Sequence, residues 1–311
     1  MKNILITGSS GYIGSKIVHA LEKTQQVETI IGLDITPPRN PARKLKFYQH
    51  DVRKPITDLL TRHEVDTVIH TAYVLSPLHD KGLMEDININ GTKNVLSSCQ
   101  ASSVSHILYT SSTTAYGFHK DNPIPMDEDQ PLRGNDDFTY AKNKKEIEFL
   151  FKSFQASVEN INVTILRPCF VIGPGVDNLI SRYLKKPIAI IPREYSPIQF
   201  VHEDDLLRAI EHCLANSVFG IYNIAGEGAI TFPEMTSMLG TRAVFLPFPL
   251  LKLLNEVAWR ARLKFLTETP SPGLALIRYP WIASTNKFTS RTGFQFKYSS
   301  QQAFESFAKG T

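Results

Sequence analysis

Tyr140 and Lys144 stand four residues apart in Tyr-Ala-Lys-Asn-Lys. On a helix that spacing sets a phenol and an ammonium on one face, with Cβ atoms ~5–6 Å apart. A phenol with an ordinary pKa near ~10 is a poor base at neutral pH, and a neighbouring positive charge favours its phenolate, so the pair could move a proton. Spacing alone proves little, because chance supplies such pairs and Tyr12 with Lys16 is another. Tyr140 is preferred because it opens a helix after an apolar segment that ends in Tyr109-Thr110-Ser111-Ser112. That places hydroxyls at the carboxyl edge of a sheet, where ligands bind.

A second set of residues points to a phosphate-bearing ligand. Gly8, Gly11 and Gly14 follow the spacing G-x-x-G-x-x-G, with Tyr12 and Ile13 before the last glycine. A tight turn needs a residue free of Cβ constraints, a pyrophosphate reaches backbone N–H groups only where no side chain intervenes, and a helix N-terminus favours negative charge. Asp34 lies 20 residues past Gly14, where an acid accepts the adenosine ribose hydroxyls. A carboxylate there repels a 2′-phosphate, which favours NAD over NADP, although Arg39 stands nearby.

The elements that must position these groups alternate. Lys2–Thr7 reads as a buried strand and Tyr12–Lys23 as a helix with Ile13, Ile17 and Leu21 on one face. Strands are expected at 28–34, 45–49, 65–70, 106–111 and 161–167, and helices at 55–63, 84–101 and 140–158. This alternation implies an α/β fold, a Rossmann-like doubly wound parallel sheet with helices on both faces. After Arg167 the chain becomes rich in proline and glycine, then regains a strand at 198–202, a helix at 203–215 and a strand at 220–225. The expected domains are therefore 1–167 with 198–225 returning to it, and a smaller substrate-binding domain from 168–197 and 226–311. Helices at 249–263 and 299–308 complete the reading.

Composition narrows the function classes. Apolar residues at 42% and charged residues at 21% are ordinary for a globular protein, which needs no metal or disulfide staple. Three widely spaced cysteines without C-x-x-C argue against a zinc site and suit a reducing cytoplasm. A net charge of +4 is too weak and too dispersed for a nucleic-acid protein. From Ala243 onward, however, nine basic residues face three acidic ones. The run Ile4-Leu5-Ile6 is too short for a secretory signal, and the apolar stretch 243–261 is interrupted by Pro247, Pro249, Lys252, Asn255 and Glu256, so no membrane span is expected. Cys169 and the stripe Leu250, Leu251, Leu254, Val257 with Trp259 read as core, and His202 as a structural hydrogen-bonding residue.

With these residues in place, the chain resembles the extended short-chain dehydrogenase/reductases, specifically the NAD-dependent epimerase/dehydratase family and its UDP-sugar 4-epimerases. The resemblance rests on the glycine turn, Asp34, Asp51-Val52, His70-Thr71-Ala72, Asn88-Ile89-Asn90-Gly91-Thr92, Ser111-Ser112 before Tyr116-Gly117, Tyr140 with Lys144, Arg167-Pro168, Gly173-Pro174-Gly175, and Phe200-Val201-His202 with Asp205. It implies that Asp51, Val52, Thr71, Ala72, Asn88 and Pro168 join the glycine turn in holding NAD. It further implies that Tyr140 takes a hydroxyl proton while Ser112 hydrogen-bonds the same oxygen, that Lys144 favours the phenolate, and that Ser112, Thr113 and Asn178 contact substrate. A homodimer through the helices at 84–101 and 140–158 is implied as well.

Departures limit the substrate. Dehydratases and decarboxylases of the family carry an acid in the loop after the catalytic hydroxyl, where this chain has Thr113-Thr114-Ala115-Tyr116. Oxidation, reduction, or epimerisation through a transient ketone remain. Nucleotide-sugar epimerases often carry an Arg before the segment matching Phe200-Val201-His202 and an acid three residues before the position of Lys287; this chain has Ile198-Gln199 and Ser284. The expected activity is an NAD-dependent epimerase or dehydrogenase on a sugar nucleotide or related polar substrate. The alternatives are a carbonyl reductase or hydroxysteroid-type dehydrogenase on a less polar substrate, and a non-catalytic dinucleotide sensor.

Overall fold

The computed structural model describes residues 2–310 and divides into two compact units. The first comprises the chain up to Ser111, Asn143–Arg167 and Leu207–Tyr222; the second comprises Ser112–Lys142, Pro168–Leu206 and the chain from Asn223 onward. The excursion from the first unit thus begins at Ser112, not at Pro168, and the return begins at Leu207, not at residue 198. The helix Thr139–Ser157 starts in the second unit and continues in the first.

Seven strands form the sheet of the first unit, in the order Gly220–Ile224, Asn162–Pro168, His106–Thr110, Thr67–His70, Asn3–Thr7, Thr29–Asp34 and Leu45–Gln49. The six from Asn162–Pro168 to Leu45–Gln49 pair in parallel. In the central strands Asn3–Thr7, Thr29–Asp34 and Thr67–His70 the buried runs are continuous, not alternating, because helices cover both faces. Leu5, Ile31, Val68 and Ile107 pack with Val95, Cys99, Ile147, Phe151 and Phe154 in one core, each large side chain contributing ~1.5–3 kcal/mol when fully buried. Ile147, Phe151 and Phe154 are thus spent on this core, leaving Phe149 exposed on the same helix. Strand order reverses beside Asn3–Thr7, and Leu33, Thr7, His70 and Tyr109 line up in register near the carboxyl edge. That reversal is where doubly wound sheets open a ligand crevice.

Where spacing predicts one helix from Met84, the chain forms a helix Lys81–Glu85, a wide π turn Asp86–Asn90 and a helix Gly91–Gln100. The strand expected at 198–202 is shorter, Phe200–His202, and pairs with Phe170–Ile172 in a separate two-stranded sheet. It therefore does not return to the large sheet. Ile188–Pro192 pairs in parallel with Arg242–Leu246. Neither strand stands out in the sequence, because Pro187, Pro192 and Pro197 make the first look like loop and Gly240, Pro247 and Pro249 bracket the second. The helices Phe232–Leu239 and Ser300–Lys309 each begin with a reciprocal capping box, Thr231 with Glu234 and Ser299 with Gln302.

The helix expected at 249–263 spans Phe248–Arg260, and of the residues expected as its core stripe only Leu251 is buried. Leu251 and Ala258 are buried, whereas Leu250, Leu253, Leu254 and Val257 are exposed. Periodicity marks the apolar residues of this helix but not which of them meet the protein. Cys169 is buried in the second unit and burial pushes its thiol far up. His202 is structural, its Nδ1 accepting from the Asp204 amide at 3.1 Å and its Nε2 lying 3.1 Å from Ser306 Oγ.

Candidate active site

The glycine turn of the first unit leaves no room for side chains. Gly8 holds φ +71°, and a Cβ there would lie 2.7 Å from the Ala72 nitrogen. A Cβ at Gly14 would overlap the Gly8 carbonyl oxygen. The helix Tyr12–Glu22 starts at Gly11 without a side-chain cap and without an acid in its first turn, so its N-terminal N–H groups stay open to an anion. The buried hydroxyls of Ser9 and Ser10 find no hydrogen-bond partner among the described residues. At the end of the next strand, Asp34 accepts from the Ser10 amide at 3.1 Å and the Thr36 amide at 3.0 Å. A backbone cradle, orphaned hydroxyls and a carboxylate at the ribose distance in sequence fit a dinucleotide.

Polar side chains brace the carboxyl edge beside this turn. The Thr71 hydroxyl donates to the Thr7 carbonyl at 2.6 Å, and the Ala72 amide donates to Thr7 Oγ1 at 3.2 Å. His70, which sequence reasoning assigned no role, lies between Thr7 Oγ1 at 2.7 Å and Thr92 Oγ1 at 3.0 Å. Burial, aided by the Lys144 charge, pushes its pKa down to about 3, so it is a neutral brace. Asn88 sits in the π turn and accepts from the Val74 amide at 2.8 Å, holding the segment after Ala72 in place. Val52 is buried, and its carbonyl accepts from Asn94 at 2.7 Å. Asp51 is bound to Arg53 at 2.6 Å, which also reaches Asp86 at 2.8 Å. The Arg53 hydrogen bond holds the Asp51 carboxyl below its ordinary pKa.

Lys144 is buried in the first unit and fixed from several sides. Its ammonium donates to Tyr109 Oη at 3.1 Å and the Thr110 carbonyl at 2.9 Å, and lies 4.0 Å from the centre of the Tyr73 ring. Burial lowers its pKa to about 7, against the attraction of Glu148 one turn further along the helix. Glu148 in turn is locked. Arg167 reaches it with Nε at 2.9 and 3.0 Å and Nη2 at 2.6 Å, and Ser111 Oγ donates at 2.5 Å. Both partners of this ion pair are almost wholly shut from water. The ion pair was missed; its one sequence signal is that Tyr140, Lys144 and Glu148 recur every four residues.

In the second unit, Ser112 caps the turn Thr113–Tyr116, its Oγ accepting from the Thr114 amide at 3.2 Å. Ser112 and Thr113 hydroxyls both lie 3.4 Å from the Pro168 carbonyl oxygen. Burial raises the Tyr140 pKa, and a hydrogen bond with Ser112 opposes the rise. Tyr140 and Lys144 occupy successive turns of the helix Thr139–Ser157, as expected. The competing pairs behave differently. Lys16 lies over the Tyr12 ring at 5.2 Å instead of near its hydroxyl. Tyr116 and Lys120 share the spacing too, but Gly117 at φ +83° ends the turn between them, and Tyr116 Oη donates to Asn223 at 2.8 Å.

One observation departs from the implied roles, and one stands outside them. Asn178 caps the helix Leu179–Leu184, accepting from the Ser181 amide at 2.9 Å and donating to the Val171 carbonyl at 3.1 Å, so its amide is engaged within the protein. Asn143, beside Lys144, is fully buried and neither amide atom has a protein hydrogen-bond partner among the described residues. Among those residues no group of three or more His, Cys, Asp or Glu is placed to hold a metal.

Comparison with known proteins gives the family from a family model and the fold from solved structures. Residues 4–225 match the model of the NAD dependent epimerase/dehydratase family. An uncharacterised protein of Mycobacterium tuberculosis is 27% identical over 319 residues, covering 99% of this chain and 84% of that protein. UDP-glucose 4-epimerase of Thermotoga maritima, solved with UDP-glucose, superposes with a TM-score of 0.78 at 19% identity over 99% of this chain and 98% of the other. The UDP-glucose 4-epimerase of Thermus thermophilus, solved with NAD, also has a TM-score of 0.78, at 20% identity over 99% and 98%.

Proposed function

The chain belongs to the NAD dependent epimerase/dehydratase family, and from that premise we propose that it oxidises a hydroxyl of a sugar nucleotide to a ketone, as an epimerase or dehydrogenase. The observation that carries this reading is Lys144, buried and held by Tyr109 and Thr110 one turn along the helix from Tyr140. Confining an ammonium there has a cost that a merely structural helix would avoid. NAD, when bound, supplies the hydride acceptor. Tyr140 takes the hydroxyl proton, Ser112 hydrogen-bonds the oxygen that loses it, and the Lys144 charge favours the phenolate. The glycine turn with Tyr12 and Ile13 cradles the pyrophosphate, and Asp34 receives the ribose hydroxyls. Asp51, Val52, Thr71, Ala72, Asn88 and Pro168 line the remaining cofactor contacts.

The loop Thr113–Tyr116 carries no carboxylate, which disfavours dehydration. The UDP-sugar epimerases that share the fold support a sugar nucleotide. A less polar substrate is the second reading, favoured by Gln199, which spends its amide on the Gly226 and Ala283 backbones where an Arg would reach a diphosphate. Thr113 is the nearer candidate for a substrate contact, since Asn178 is engaged as a cap. Three buried free cysteines suit the cytoplasm. A homodimer would use exposed Phe149 with the helix Gly91–Gln100.

The test supplies the purified protein with NAD or NADP and panels of UDP-sugars and of apolar secondary alcohols, following reduced nicotinamide for net oxidation and, by chromatography, the epimeric sugar that forms when the hydride is returned to the ketone. Turnover with UDP-sugars, and NAD bound at least ~tenfold tighter than NADP, is the expected result. Turnover confined to the apolar alcohols moves the reading to the second, and none with either removes both.

A further inference from the structure

The helix Phe248–Arg260 presents Leu250, Leu253, Leu254 and Val257 to solvent, the last three 61%, 50% and 58% exposed. They recur at i, i+3, i+4 and i+7, the pattern of a continuous apolar stripe. The adjoining face, Leu251 and Ala258, is buried against its own unit, and Asn255 donates to the Thr269 carbonyl at 3.0 Å. The outer stripe is therefore surplus to folding. Beyond the helix the surface continues with Leu263, Phe265 and Leu266, of which Phe265 is 73% exposed. Seven large apolar side chains from 250 to 266 face water, far beyond the scattered exposure normal for a surface.

The charges around this face select its occupant. Lys252, Arg260, Arg262 and Lys264 stand exposed among the apolar residues. Lys186 joins them by donating to the Phe265 and Leu266 carbonyls at 3.1 and 3.3 Å. The acid within the segment, Glu256, is taken up by Arg260 at 2.7 Å. A second copy docked on this face would bring like charges together, whereas an anionic lipid surface complements them and accepts the apolar stripe between its headgroups. No helix among the described residues is long and apolar enough to span a membrane, so the contact would lie in the interface plane.

We propose that residues 248–266 form a peripheral docking surface for anionic lipid bilayers. Aliphatic residues would enter the headgroup region while Lys252, Arg260, Arg262 and Lys264 meet the lipid charges. Because Ser112, Tyr140 and Lys144 are not among the residues of this surface, the inference stands or falls independently of the reaction.

The full chain is floated with vesicles of phosphatidylcholine alone and of phosphatidylcholine with about one third phosphatidylglycerol, at low and high salt. The expected result is co-flotation with the anionic vesicles, at least ~tenfold weaker on neutral ones and weakened by salt. Leu253→Glu with Val257→Glu should lose at least ~tenfold of that binding, with unchanged circular dichroism and unchanged NAD affinity. Absence of flotation, or equal flotation of the double variant, overturns the proposal. So does a wild-type oligomer in light scattering that the same substitutions dissociate, which would make the occupant a second copy.

Discussion

In the first unit a carboxylate and a guanidinium, Glu148 and Arg167, are sealed from water and satisfy one another, while in the second unit a helix turns three leucines and a valine toward solvent. The first arrangement invests burial in holding one lysine at one place. The second leaves apolar surface uncommitted. Around Lys144, the strand ends of Thr7, His70 and Tyr109 lie in register, and their side chains or immediate neighbours are hydrogen-bonded. Around the Phe248–Arg260 helix the elements are short, and the neighbouring sheet has two strands. A region that must present groups to a cofactor with little freedom is built on long-range pairing.

The largest effect expected from this contrast is on stability. Arg167→Met leaves Glu148 as a buried carboxylate without its counter-ion, which should cost about 3–5 kcal/mol in chemical denaturation. Leu253→Ala in the second unit removes a side chain that contacts mainly water and should change stability by no more than ~0.5 kcal/mol. Similar costs for the two substitutions would erase the distinction between the regions.

Gly14→Ala sharpens the same contrast at the cofactor turn. The added methyl meets the Gly8 carbonyl, so the turn must open. NAD affinity measured by calorimetry should fall at least ~tenfold. Gly240→Ala in the second unit, where a Cβ meets no atom within 4 Å although φ is +67°, should leave NAD affinity unchanged and cost ~1 kcal/mol of stability through strain alone.

Lys144→Met tests the cost of the buried ammonium. Burial lowers the folded pKa to about 7 from an ordinary lysine value, so the unfolded chain binds more protons than the folded one between those values. Wild-type stability should therefore rise with pH across that window. The methionine variant should be more stable than wild type below about pH 7, with the advantage shrinking toward pH ~10. Its turnover should be lost throughout. A variant less stable than wild type at pH 6 would mean that the bonds to Tyr109 and Thr110 outweigh desolvation.

Much of the first unit was legible in sequence because each of its signals is local. Glycines at fixed spacing, an acid at the end of the next strand, and strands alternating with helices each follow from one stretch of chain, and the structure places them as read. Signals that depend on distant partners were not legible. Nothing near Phe200 says that it pairs with Phe170 instead of joining the large sheet. Glu148 looks like any solvated helix acid until Arg167 is brought beside it by the strand Asn162–Pro168. The stripe through Leu250, Leu253, Leu254 and Val257 has the period of a core face, and periodicity does not say which side of a helix meets the protein. Asn178 matched a phosphate-contacting pair in sequence, yet its side chain is used as a helix cap.

The central claim is that Tyr140 moves the proton, and Tyr140→Phe tests it most directly because only a hydroxyl is removed. Steady-state turnover and NAD affinity are measured for this variant and for Tyr12→Phe, whose phenol lies at the cofactor turn in a pair of the same spacing. For Tyr140→Phe, turnover should fall ~10²–10⁴-fold with NAD affinity within a few fold of wild type. Tyr12→Phe should keep its turnover. Full activity in Tyr140→Phe, or equal losses in both variants, would contradict the assignment of Tyr140 as the base.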